Sequence, residues 1–115
     1  MPRVVHFEIA ANKPEKMKTF YENVFGRQFQ RYPSPQEYWL ITTGDSSSPG
    51  MNGAMFIPTE TFNGTVNTVE VADLDPYVAR VQANGGTVVV EKTTIPGVGY
   101  LVYCKDAEGT LFGLH

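Results

Sequence analysis

Cysteine, charge and long apolar runs are all scarce in this chain of 115 residues, and each scarcity removes a class of protein. The single cysteine, Cys104, rules out an intrachain disulfide and with it the cross-linked framework of small secreted domains. A reduced, cytoplasmic protein is the expectation. No apolar run approaches the roughly 20 residues of a bilayer-spanning helix, and none follows a basic leader. Nine Lys and Arg stand against twelve Asp and Glu, a formal net charge of -3 with no basic cluster. Neither nucleic acid nor an anionic membrane is therefore an expected partner. With 42% hydrophobic and 18% charged residues the chain is not a disordered one, and its length allows one compact unit with a real core. The sequon Asn63-Gly64-Thr65 would matter only in a secreted protein, and an Asn-Gly turn accounts for it.

What the chain does have is a pattern stated twice, about 60 residues apart. Val4-Val5-His6-Phe7-Glu8-Ile9 leads through Lys13-Pro14-Glu15 into a helical pattern that stops at Gly26. The second copy has alternating Val69 and Val71, a helix entry at Asp73-Leu74-Asp75-Pro76, a stop at Gly85-Gly86 and then Thr87-Val88-Val89-Val90. One helix and a few strands cannot bury their own apolar face, so two such units should pair around a pseudo-twofold and leave a concavity between them.

Periodicity orders the elements. Val5, Phe7 and Ile9 alternate with His6 and Glu8, the period-two signature of a strand with one buried face. Met17, Phe20, Tyr21 and Val24 form a helical stripe that should cover the Val5, Phe7, Ile9 face, leaving His6 and Glu8 toward the concavity. Extended stretches follow near 28–31, 37–42 and 51–57, with Trp39 and Ile41 expected under this helix. In the second half Leu74, Val78 and Val81 should cover Val69 and Val71, leaving Val66, Thr68 and Glu70 on the concave side. Strands are expected at 87–91, 100–104 and 110–114, with caps from Asp73 or Asp75 and from Asn84-Gly85. The predicted fold is α+β: two tandem βαβββ modules, 1–58 and 65–115 with a linker at 59–64, forming a curved mixed sheet around a cup-shaped cavity with helices on its convex side.

Phe20-Tyr21, Phe25-Gly26, Val71-Ala72-Asp73-Leu74-Asp75, Ile95-Pro96-Gly97-Val98-Gly99-Tyr100 and the ending from Asp106 through Phe112-Gly113-Leu114 together resemble the vicinal oxygen chelate superfamily of glyoxalase I, bleomycin-resistance proteins and extradiol dioxygenases. The resemblance covers essentially the whole chain and is similar in detail to the branch of predicted enzymes related to lactoylglutathione lyase. It implies a divalent metal at four pseudosymmetric positions. These fall on His6, Val66, Gly113 and a residue near Gly53, and of the four only His6 is a ligand. One imidazole does not hold a metal, so no cofactor is expected. A divalent metal would enter only if Glu8 or Glu70, which share the parity of His6, replaced the missing ligands.

Without a metal, His6 with Glu8 or Glu70 is a candidate acid/base pair, since imidazole titrates near neutrality and a carboxylate fixes its tautomer. An orienting hydrogen-bond role for His6 stands beside that reading. Tyr38 and Tyr100, in corresponding strands, and Met51 and Met55, with the parity assigned to Gly53, are candidates to line an apolar site, with Thr68 and Tyr100 as orienting groups. Core or dimer contacts are the competing explanation for these residues. Cys104 has no basic neighbour in sequence and is expected to be a buried, inert thiol, and Gly97-Val98-Gly99 a turn rather than a phosphate loop. By resemblance the chain is a glyoxalase-related small-molecule protein, a metal-independent lyase, isomerase or hydrolase acting on a small carbonyl compound. The alternative is a non-catalytic module that sequesters a drug-like molecule, and a homodimer is the anticipated assembly.

Overall fold

The computed structural model describes residues 1–95 and 99–115; Gly97 and Val98 of the expected turn lie outside the described residues. The fold is α+β, and the described residues form eight strands in mixed pairing and two helices. In chain order the elements are β1 (Arg3–Ala10), α1 (Pro14–Phe25), β2 (Gln28–Arg31), β3 (Tyr38–Thr42), β4 (Gly53–Phe56), β5 (Thr65–Glu70), α2 (Leu74–Ala83), β6 (Thr87–Ile95), β7 (Gly99–Lys105) and β8 (Leu111–Leu114). Each half is βαβββ. Two compact units emerge, His6–Val66 and Met1–Val5 with Asn67–His115, so the first five residues group with the second half.

In the unit His6–Val66 the strand order is β2-β3-β4-β1, with β1 parallel to β4 and the other pairs antiparallel. Phe7 stands opposite Gly53 and Ile9 opposite Met55, while Trp39 and Ile41 pair with Met55 and Gly53. This parity meets the core of Ala11, Ile41 and Met55, onto which Phe7, Ile9, Phe29, Trp39 and Met17 of α1 pack. Trp39 and Ile41 thus lie where expected. The helix stripe does not: Met17 enters the core, but Phe20 and Val24 remain 54% and 53% exposed, and Val5 is exposed too. The strand face is already filled by Phe7, Ile9, Trp39 and Met55, so α1 needs to contribute only a narrow edge. Gly26 closes the helix in the left-handed region at φ 71°, and the Arg27 N–H then donates back to the Tyr21 carbonyl. The Arg27 guanidinium lies 4.8, 5.4 and 5.6 Å from the ring centroids of Tyr21, Phe25 and Phe7, tying the helix exit to β1 through cation–π attraction.

In the other unit the order is β5-β8-β7-β6, again with the first and last strands of the module parallel. Leu74, Val102, Cys104 and Leu114 form the core, covered by Val69, Val71, Tyr77, Val78, Val81, Val88 and Phe112. The α2 stripe is therefore as expected. Asp73 occupies the N-cap, but its side chain makes no capping hydrogen bond. Strand β6 runs past the expected end at Glu91 to Ile95, crossing two register shifts, because Thr93 and Thr94 continue the pairing with Leu101 and Tyr100.

The registers superimpose the halves. Glu8 faces Ala54 across the parallel pair as Thr68 faces Gly113, so the first-half counterpart of Gly113 is Ala54, not Gly53. Gly53 has a different duty. A Cβ there would lie 2.5 Å from the Phe7 carbonyl oxygen and 2.6 Å from its ring, contacts no side chain can make. Gly53→Ala should destabilise by about 1–3 kcal/mol through overpacking, read as a shifted denaturant midpoint. Gly44→Ala, with nothing within 4 Å of the new methyl, should stay within about 0.5 kcal/mol of the parent.

Candidate functional site

Among the described residues of the unit His6–Val66, the buried charged side chain is Glu8. Alternation along β1 sends Phe7 and Ile9 under α1 and turns Glu8 to the opposite face, where it is 5% exposed. Burying a carboxylate is costly unless it is hydrogen-bonded. Tyr38 answers this from β3: its hydroxyl donates to Glu8 Oε2 at 2.8 Å. The register explains the meeting, since Tyr38 and Ala10 both stand opposite Phe56 and so share the face of Glu8. Burial first, then the Glu8 charge and this hydrogen bond, with Tyr32 adding, push the Tyr38 hydroxyl well above its ordinary value of 10.0. Tyr38 is thus a protonated donor through any physiological range. The Tyr32 ring packs edge-on against Tyr38 at 6.0 Å. Leu40, opposite Ala54 and hence on the Glu8 face, is 38% exposed. His6 follows the same parity two residues before Glu8 and is half-buried. The arrangement offers an oriented carboxylate beside an apolar flank of Tyr32, Tyr38 and Leu40.

The other unit places its candidates in two locations. Thr68 is buried opposite Gly113 in the β5–β8 pair. Glu70, exposed at the end of β5, instead lines a cleft of about 640 Å³ together with Asp73, Tyr77, Lys92, Tyr100 and His115. Tyr100 shares parity with Val102 and Cys104 rather than with Leu101 and Tyr103, and its ring carries the Lys92 ammonium at 5.1 Å. It therefore does not lie on the face of Thr68, and the expected correspondence with Tyr38 is corrected: the register aligns Tyr38 with Leu101, and Leu40 with Tyr103.

Two further placements differ from the sequence reading. Met55 is fully buried in the α1 core, because Gly53 and Met55 share the parity of Phe7 and Ile9. Met51 precedes β4 in a loop, where its carbonyl accepts from the Thr43 hydroxyl. Neither carries the parity of Glu8 in a strand. Leu40, Tyr32 and Tyr103 were missed by sequence reasoning; alternation with Tyr38 was the available signal for Leu40, and only the strand pairing makes it decisive. Cys104 is buried, and burial followed by the charge of Glu91 pushes its thiol up, away from nucleophilic use.

The metal implied by the resemblance does not fit these residues. Val66 is a buried apolar side chain, and Ala54 and Gly113 carry no donor side chain, so of the four implied positions only His6 bears a ligand. Among the described residues no group of three His, Cys, Asp or Glu side chains could hold an ion. Purified, untagged protein should carry divalent metal far below one equivalent by elemental analysis, unchanged in His6→Ala; stoichiometric metal lost in that variant would contradict the fit. The Tyr38–Glu8 pair generates a second expectation. Because the folded-state hydroxyl titrates above the unfolded value of 10.0, its contribution is fully present below that pH and is lost as pH rises beyond it. Stability should fall above pH 10 by up to about 1.4 kcal/mol per pH unit, and Tyr38→Phe should flatten that slope in denaturant titrations.

The model of the Glyoxalase/Bleomycin resistance protein/Dioxygenase superfamily matches residues 3–114. No curated protein matches the chain by sequence. Among solved structures, a hypothetical protein from Bacillus halodurans C-125 is similar with a TM-score of 0.73 at 12% identity, over 98% of this chain and 92% of that one. Methylmalonyl-CoA epimerase from Mycobacterium tuberculosis is similar with a TM-score of 0.70 at 17% identity, over 96% of this chain and 85% of the other. A Streptomyces coelicolor methylmalonyl-CoA epimerase variant, in complex with 2-nitronate-propionyl-CoA, gives 0.70 at 19%, over 97% and 94%. These likenesses agree with the two βαβββ halves, and with the family model spanning nearly the entire chain they make it a member of the Glyoxalase/Bleomycin resistance protein/Dioxygenase superfamily.

Proposed function

We propose that this protein is a metal-independent isomerase-type enzyme that moves a proton on the carbon next to a carbonyl of a small substrate, with Glu8 as the base. The observation that supports this is the buried Glu8 carboxylate held at 2.8 Å by a tyrosine hydroxyl that stays protonated. Glu8 takes the proton from carbon, the electron pair of the broken C–H bond moves toward the carbonyl oxygen, and return of a proton to carbon completes the isomerisation. Tyr38 fixes the carboxylate without competing for the transferred proton. His6, roughly 7 Å along the strand at ~3.4 Å per residue, is the companion acid/base group on the same face. Similarity to structures named methylmalonyl-CoA epimerase is compatible with this class at the level of fold.

A second reading draws on the exposed Leu40 and Tyr32 beside Glu8: a binding module that sequesters an apolar, drug-like molecule without turnover. Proton exchange separates the two. Methylmalonyl-CoA and acetoacetate, incubated with enzyme in D2O and followed by proton NMR, should lose their exchangeable C–H signals faster than in buffer. Glu8→Gln, which preserves the acceptor for Tyr38, should slow this by about 10²–10⁴-fold, and His6→Ala should lower it as well. Exchange unaffected by Glu8→Gln would remove Glu8 as the base; binding without exchange in the parent would favour the sequestering module.

A further inference from the structure

The cleft in the unit containing Asn67–His115 has no part in the chemistry assigned to Glu8. It opens where β5 and β8 end and β7 begins, beneath the entry of α2, and its volume of about 640 Å³ suits a small organic molecule. Tyr77 of α2 and the exposed Tyr100, which has the parity of the α2 core, set it apart from the strand face of Thr68. Its charge is one-sided. Lys92 is matched by Asp75 at 3.3 Å, whereas Glu70 and Asp73 stand exposed in the wall and have no ion-pair partner among the described residues; the Asp73 side chain does not cap α2 either. A second, independent feature adjoins them. His115 lines the cleft, and its Nε2 is buried without a hydrogen-bonding partner among the described residues. Such atoms are few in native structures, because each costs its desolvation. This nitrogen lies 3.7 Å from where a Cβ on Gly99, another wall residue, would stand.

We propose that this cleft is a second binding site, for a small aromatic ammonium compound. Glu70 and Asp73 supply unmatched negative charge, and the rings of Tyr77 and Tyr100 supply the surface on which an aromatic body packs. Each ring already draws a cation of the chain, the Arg80 guanidinium at 4.7 Å from the Tyr77 centroid and the Lys92 ammonium at 5.1 Å from that of Tyr100. The Nε2 of a neutral His115 can accept an N–H from the ligand. An anion of the same shape would instead meet two carboxylates that have no counter-charge. The site goes beyond the role given to Glu8, shares no residue with it and does not rest on it.

The test follows the imidazole C–H proton signals of the two histidines, His115 in the cleft and His6 in the other unit, as phenethylamine is titrated at low salt. His6→Ala assigns the two signals. The His115 signal should shift saturably and the His6 signal should not. Phenylacetate, similar in shape and opposite in charge, should bind roughly tenfold more weakly, because two attractions become two repulsions. Glu70→Gln and Asp73→Asn, both at exposed positions, should each weaken phenethylamine by about 2–5-fold, the range of a partly exposed ion pair, and added salt should weaken it in the parent. A His115 signal indifferent to phenethylamine, equal affinity for phenylacetate, a shift at His6 alone, or a Glu70→Gln/Asp73→Asn double variant that binds like the parent would each overturn the proposal. Binding at His115 is read rather than turnover, so this result and the proton-exchange result on Glu8 stand or fall separately.

Discussion

Parallel pairing of the first and last strands of each half is the constraint on which the rest depends. It fixes Phe7 against Gly53 and Asn67 against Phe112, and from those registers every side chain on each four-stranded block receives its face. Once Phe7 and Ile9 are committed to the core under α1, Glu8 has no choice but the other side. Gly53 is the steric condition for that commitment, because the Phe7 carbonyl and ring lie where its side chain would be. The Glu8–Tyr38 contact then follows from backbone arithmetic: β3 is antiparallel to β4, β4 is parallel to β1, and Tyr38 arrives on the same face as Glu8.

Buried polar groups are the expensive parts of such a design, and the two units treat them differently. Glu8 is satisfied by a tyrosine that cannot ionise at ordinary pH, so the carboxylate keeps one orientation. Thr68 lacks any such partner among the described residues. A fold under selection for stability alone would favour valine there, since valine matches the shape and removes the penalty. The apolar flank of Tyr32 and Leu40 beside Glu8, and the Leu101 and Tyr103 flank beside Gly113, share the same logic of a polar atom set among carbon surfaces.

Much of this was legible in the residues. The sixty-residue repeat, the βαβββ order, the glycine stop at Gly26 and the outward turn of Glu8 follow from period-two and period-3.6 patterns that local sequence carries. What sequence could not carry was register. Parity counted from Gly53 puts Met55 in the site, whereas the pairing of Gly53 with Phe7 and of Met55 with Ile9 puts both on the core face. Tyr38 and Tyr100 sit in equivalent strands, yet the shift of pairing between the halves separates their faces, and Tyr103 rather than Tyr100 faces Gly113. Phe20 and Val24 show the limit of the helical stripe: amphipathic spacing says which residues can be buried together, not how much strand surface is left to cover.

Each half builds its own core, Ile41, Met55 and Ala11 in one and Leu74, Val102, Cys104 and Leu114 in the other. A repeated architecture whose two interiors are settled separately leaves equivalent strands free to carry different chemistry. Glu8 and Thr68 occupy equivalent positions and bear unrelated functional groups, as do Ala54 and Gly113. Substitution on the face opposite the core of one half therefore leaves the interior of the other half untouched.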